Sequence, residues 1–128
     1  YSIGNDMSSR DIEGQNPLYL PQAKTYDGCA SLGPCIYVPK KPVNQPLRIE
    51  LTIQRQGAVV FHESISTGRM KRKPQELVDY LFRESSFPNG AFLMTGTGIV
   101  PPADFTLALG DEVSIEIEKI GTLTNPVR

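Results

Sequence analysis

"LRIELTIQRQGAVVFHES", residues Leu47–Ser64, is the stretch on which the fold turns. Leu47, Ile49, Leu51 and Ile53 alternate with Arg48, Glu50, Thr52 and Gln54. A period of two puts one set of side chains on each face of a strand, so one face is apolar and the other wet. Gln56–Gly57 interrupts the pattern with a turn, and Ala58–Glu63 returns as the second arm of a hairpin.

Downstream the period changes. In "KPQELVDYLFRE" Leu77, Val78, Leu81 and Phe82 form one helical stripe, and Pro74 suits the first helical position. The reading is a single main helix over about 74–84, ended by "FPNG". Around it fall further strands: Tyr1–Asn5, Ser31–Val38 between Gly–Pro signals, a short apolar Ala91–Thr95, Asp111–Ile117, and a last one in "KIGTLTNPV". Ser8 or Ser9 is placed to cap a helical turn across Arg10–Glu13, which Gly14 ends. Asn16–Ala23, with two prolines, reads as an ordered loop. Many strands around one helix define an α+β domain, mostly β.

Composition bounds the function. A chain of 128 residues is one domain and buries roughly two-thirds of its unfolded surface. With 39% apolar and 21% charged residues, it is globular rather than disordered. Thirteen basic against 14 acidic residues leave a net charge of −1, which offers no field for nucleic acid or an anionic membrane. No apolar run approaches the roughly 18 residues of a membrane span, and no secretory pattern is present. Cys29 and Cys35 lack metal-site spacing and read as buried, reduced thiols of a cytoplasmic protein. The chain opens without Met, inside a strand, so the expectation is a fragment of a larger domain that lacks its N-terminal part.

The candidate chemistry starts in "IGNDMSSRDIEG", Ile3–Gly14, where Asp6, Arg10, Asp11 and Glu13 crowd behind a strand. Asp6 reads either as a cap or as an oxygen ligand to a hard cation. Arg10, four residues on, either joins a surface ion pair or orients that carboxylate and clamps a substrate acid group. Lys24, in "PQAKTYDG", either snorkels to water or points into a cleft where it stabilises a developing anion. "TGTG", Thr95–Gly98, is a structural turn or an anion-binding loop of backbone N–H groups and hydroxyls. Three features carry less. His62 belongs to the polar face of the hairpin, Glu116 and Glu118 to a solvent face, and "RMKRK" to a solvated loop before the helix.

The motifs "YSIGNDMSSRDIEG", "PLYLPQAK", "FPNGAFLMTGTGIVPP" and "FTLALGDEVSIEIEKIGTL", in this order, resemble the C-terminal part of the fumarylacetoacetate hydrolase superfamily. The resemblance covers almost the whole chain. "SSRDIEG.NPLYLPQAK" looks most like the 2-keto-3-deoxy-aldonate (arabinonate or xylonate) dehydratases, which convert a 2-keto-3-deoxy-pentonate to 2,5-dioxopentanoate. The resemblance implies mixed β-sheets of the β-roll type and a hydro-lyase acting through a metal-stabilised enolate of a 2-keto acid. It implies Mg²⁺ (or Mn²⁺) held by Asp6 and by an ExE pair that in the family precedes this stretch; Glu116 and Glu118 come too late to be that pair. It places substrate contacts on Arg10, Lys24, Gly96 and Thr97, and catalytic roles on Lys24, Arg10 and Glu13, the last where relatives often carry Gln. It also implies a cytoplasmic homodimer. Gly28 stands where many hydrolase members have Ser or Thr, which points away from hydrolysis. The other readings are an acylpyruvate-type hydrolase, isomerase or decarboxylase of the same superfamily, or an inactive isolated module.

Overall fold

The Leu47–Ser64 stretch folds as a hairpin in a computed structural model that describes residues 1–128. It belongs to a four-stranded antiparallel sheet, whose strands come last after a small two-stranded sheet at the N-terminus. In chain order the elements are β1 Ile3–Asp6, α1 Arg10–Gln15, β2 Ala30–Gly33, β3 Arg48–Arg55, β4 Ala58–Ser66, α2 Pro74–Phe82, β5 Glu112–Ile117 and β6 Gly121–Pro126. The large sheet runs β4-β3-β5-β6, and β1 pairs only with β2. This is an α+β, mostly β architecture.

The β3–β4 turn is set by Gln56 and Gly57, with φ of 51° and 79°. Positive φ at both positions is the type I′ turn, whose twist matches the flanking strands. Register is Ile49↔Ile65 and Ile53↔Phe61, then slips so that Gln54 faces Val59. Val60 is thus the extra residue of a bulge, which sharpens the local twist.

The core lies between the sheets rather than under the hairpin. Ile3 of β1 packs with Ile120 and Leu123, and Tyr37, Ile115 and Ile117 close around them. Leu47 and Ile53 are buried, while Ile49 and Leu51 remain half-covered. The alternation therefore fixes the strand and its register, but the apolar face is only partly covered.

Two predicted strands differ. The strand expected over Ser31–Val38 ends at Gly33, because Pro34 has no N–H to continue the ladder, and Ile36 and Val38 are exposed. Ala91–Thr95 forms no strand; it crosses β1 with its side chains, and the Met94 sulfur lies where a Cβ at Gly4 would stand. Contact without a ladder needs no strand geometry, and it accounts for glycine at position 4. Asn16–Ala23 is built of two 3₁₀ turns, Pro17–Tyr19 and Gln22–Lys24. The thiols are free, but Cys29 is half-buried and Cys35 exposed, not both buried.

One ion pair ties the large sheet together. Asp111 has no exposed surface and takes Arg55 Nε on one oxygen and Arg55 Nη2 on the other, both at 2.8 Å. The Ala108 N–H donates to the same carboxylate at 2.8 Å, and Arg55 Nη2 also donates to the Thr106 carbonyl. Guanidinium and N–H together hold the Asp111 carboxyl at about 2, below its ordinary 3.8. A carboxyl depressed by folding stabilises the fold above its unfolded value, and that contribution is lost as pH falls. Denaturant midpoints of wild type and Asp111→Asn should therefore differ clearly at pH 7, with the variant weaker. The gap should close between about pH 4 and pH 2. A gap that stays constant across that window would remove the pair from the acid response.

Candidate active site around Asp6 and Lys24

Strand β1 ends on Asp6, and the next eighteen residues loop back so that Lys24 meets it. Lys24 Nζ lies 2.9 Å from Asp6 Oδ2 and 2.6 Å from Ser8 Oγ. The loop is fastened by backbone bonds from Met7 N to the Cys29 carbonyl (2.8 Å) and from Ser9 N to the Ala23 carbonyl (2.9 Å). Ala23 is fully buried, and the Cys29 thiol donates to the Lys24 carbonyl at 2.9 Å. Lys24 thus neither trails into water nor stands alone; its side chain is 31% exposed and that of Asp6 39%. Asp6 does not cap α1. Its Oδ2 is taken by Lys24, and no hydrogen bond reaches Oδ1.

Ser9 occupies the cap position of α1 but makes no side-chain cap bond, and the Ser8 hydroxyl is engaged with Lys24 and the Asp6 carbonyl. The helix forgoes a contact worth about 1 kcal/mol at an ordinary N-terminus. Either serine was a candidate cap in the sequence; the structure gives Ser8 another role.

Arg10 does not reach Asp6. It approaches Glu13 at 3.7 Å and donates from Nη1 to the Pro101 carbonyl at 3.3 Å. It thereby joins α1 to the loop that follows "TGTG". Within that loop the Thr97 hydroxyl accepts from the Ile99 N–H at 3.1 Å and also faces the Ile99 carbonyl, a local turn. Gly96 has φ of 79°, the left-handed conformation glycine adopts without cost. No hydrogen bond joins Thr97 to Asp6, Lys24 or Arg10. The structure therefore brings Asp6 and Lys24 together, links Arg10 with Glu13 and with the "TGTG" loop, and leaves Gly96 and Thr97 tied to the site only through that link.

A cavity of about 580 Å³ opens on the Ser8 side, with Asn5, Met7, Tyr26, Cys29 and Asn125 in its wall; Asp6 and Lys24 do not line it. Asn125 spans both strands of the small sheet. It accepts from Asn5 Nδ2 at 3.1 Å and donates to Ser31 Oγ at 3.0 Å. This amide clip links positions 120 residues apart and leaves no local signal in the sequence. His62 stays on the hairpin's polar face, bonded to Thr52, while Glu116 and Glu118 are exposed beside Arg48.

With this geometry in place the comparisons have a clear reading. Residues 1–128 match the family described as Fumarylacetoacetate (FAA) hydrolase C-terminal. The chain belongs to that family. It is 50% identical to a probable 2-keto-3-deoxyxylonate dehydratase of Haloferax volcanii, over 99% of this chain and 44% of that protein. It is 45% identical to a 2-dehydro-3-deoxy-D-arabinonate dehydratase of Saccharolobus solfataricus, over 100% of this chain and 43% of the relative. A solved 2-keto-3-deoxy-D-arabinonate dehydratase, complexed with magnesium and 2,5-dioxopentanoate, superposes with a TM-score of 0.93 at 46% identity, covering 100% of this chain and 46% of that one. The chain thus spans less than half the length of these relatives.

Truncating Arg10 to Ala should free the loop it anchors. Amide exchange at Ile99, Val100 and Ala103, the amides that flank Pro101 and Pro102, is expected to quicken, while global stability falls by no more than about 1 kcal/mol, the worth of one exposed hydrogen bond. Unchanged exchange in that segment would show that Arg10 is not its anchor.

Proposed function

We propose that these 128 residues form the Asp6- and Lys24-bearing part of a larger catalytic domain. That domain is a Mg²⁺-dependent hydro-lyase that dehydrates a 2-keto-3-deoxy-pentonate to 2,5-dioxopentanoate. The observation that carries the reading is the Asp6–Lys24 pair, a carboxylate oxygen and an ammonium held side by side. Sequence identity near one-half to the dehydratases, against 30% to an oxaloacetate tautomerase, favours dehydration over isomerisation.

The residues present fit a hard cation in part. Asp6 offers one oxygen free of hydrogen bonds, and a carboxylate is the right donor type. No three His, Cys, Asp or Glu side chains converge anywhere in the chain, so the other anionic ligands come from outside these residues. When bound, Mg²⁺ supplies Lewis acidity toward a 2-keto acid.

The reaction removes a C3 proton and the C4 hydroxyl as water, and the enone then isomerises to the aldehyde. Lys24 sets a positive charge where the 2-keto oxygen gains negative charge. Arg10 and the Gly96–Thr97 turn hold the substrate carboxylate. The departing hydroxyl leaves as water with a proton from a general acid, either a group outside these residues or Glu13, which meets Arg10 at 3.7 Å as a carboxylate and must first be protonated. The enzyme works as a cytoplasmic homodimer; Phe92 and Leu109, exposed at 63% and 82%, are among the apolar side chains such an assembly would cover.

Two variants of the full-length protein test this. Groups that merely support metal ligands change affinity about 10–100-fold, so Asp6→Asn should weaken Mg²⁺ binding at least that much with the fold intact. Tight binding and full turnover by this variant would refute the ligand assignment. Lys24→Met should lower kcat by about 10²–10³ and alter KM little, the pattern of a group acting on the transition state. A rise in KM alone would assign Lys24 to ground-state binding.

A further inference from the structure

We propose that Ser8 is a positioning residue that holds the Lys24 ammonium on one edge of Asp6 and so reserves the other carboxylate oxygen for a divalent cation. The proposal rests on the metal reading of Asp6 given above and adds how two cations share one carboxylate.

The Ser8 hydroxyl lies 2.6 Å from Lys24 Nζ and 3.3 Å from the Asp6 carbonyl. A hydroxyl carries one proton and two lone pairs, an ammonium can only donate, and a carbonyl can only accept. The assignment is therefore unique: Ser8 donates to the Asp6 carbonyl and accepts from Lys24. Its position is fixed from both sides. The flanking residues Met7 and Ser9 donate backbone bonds to Cys29 and Ala23, in the very segment that carries Lys24. The Lys24 backbone is held in turn by the Cys29 thiol. Only the lysine stem is free to rotate, and Ser8 removes that freedom.

The consequence lies on Asp6. Lys24 contacts Oδ2 and leaves Oδ1 without a partner. A lysine held by Asp6 alone has nothing to keep it from Oδ1, because its head is a compact point charge on a four-carbon stem. Ser8 supplies the second anchor that confines it. The serine touches neither substrate nor metal in this role and acts through Lys24.

A double-mutant cycle in the full-length protein tests this, with turnover of the 2-keto acid and calorimetric Mg²⁺ titration as separate measurements. Ser8→Ala should lower kcat and weaken Mg²⁺ binding about tenfold each, the lower end of the effect of groups that orient metal ligands. Ser8→Thr, which keeps the hydroxyl, should restore both to within about threefold of wild type. In a Lys24→Met background, Ser8→Ala should change neither, because the group it works through is gone. Equal losses in both backgrounds would reveal a general structural role, and no loss in either would remove Ser8 from the site; each result overturns the proposal. Asp6→Asn is run alongside. If it binds Mg²⁺ as wild type does, the ligand assignment fails, while the kcat cycle still decides whether Ser8 acts through Lys24.

Discussion

Asp111 is a carboxylate with no exposed surface, and a buried charge is tolerated only when it is paired and hydrogen-bonded. Arg55 answers with two donors, Nε and Nη2, one on each oxygen, and the Ala108 N–H adds a third bond. The pair draws together the end of β3, the Thr106–Ala108 loop and the start of β5. Backbone bonds extend the knot to the far end of the chain, since Val127 donates to the Asp111 carbonyl and Gly110 to that of Val127. Removing one partner would leave the other uncompensated, so these segments depend on one another more than their separate contacts indicate. Strands β5 and β6, which the pair helps to hold, are also the strands against which β1 packs.

From that base the position of Asp6 follows in steps. Ile3 enters the core with Ile120 and Leu123, which fixes the start of β1. Asn125 of β6 then clips Asn5 and Ser31, residues paired across β1 and β2, so both strands of the small sheet are registered against the large one. Asp6 is the next residue after Asn5. Its backbone is placed by a buried amide network and an apolar anchor, and only its side chain is left to respond to Lys24. A short strand at a sheet edge would otherwise be a poor platform for a carboxylate whose orientation matters.

What could be read in the sequence was what depends on local repetition. The β3–β4 hairpin was legible because Leu47 through Gln54 alternate and Gly57 supplies the turn. Helix α2 was legible because Pro74 opens a stripe of Leu77, Val78 and Leu81. The 91–95 segment was misread because an apolar run does not say whether it pairs or merely packs, and Met94 packs over Gly4. Asp6, Arg10, Glu13, Lys24 and the "TGTG" loop stood out as crowded charges and a glycine turn, and the motif resemblance chose among their possible roles; what neither could supply was who touches whom. Arg10 was open between a surface ion pair and orienting Asp6; it makes the ion pair, with Glu13, and also holds Pro101. Ser8 looked like a helix cap because serine before a helix usually is one. The Arg55–Asp111 and Asn5–Asn125 contacts join positions 56 and 120 residues apart and follow no period, so only the folded chain discloses them.

The exposure of the site sets a condition on its chemistry. Asp6 and Lys24 are each about one-third open to solvent. In water two charges 4 Å apart interact by about 1 kcal/mol, whereas at an effective dielectric near 20 they interact by about 4. The positive charge of Lys24 can therefore act strongly on a developing anion only where water has been excluded. Only 10 of the 128 residues are buried, and the apolar side chains of Phe92, Leu93 and Met94, just before the "TGTG" turn, remain exposed. That apolar segment leads into the loop that Arg10 ties to α1 through the Pro101 carbonyl. A surface that covered the Asp6–Lys24 pair would exclude water from it and strengthen its electrostatics, so the field that Lys24 exerts depends on whether the pair is covered.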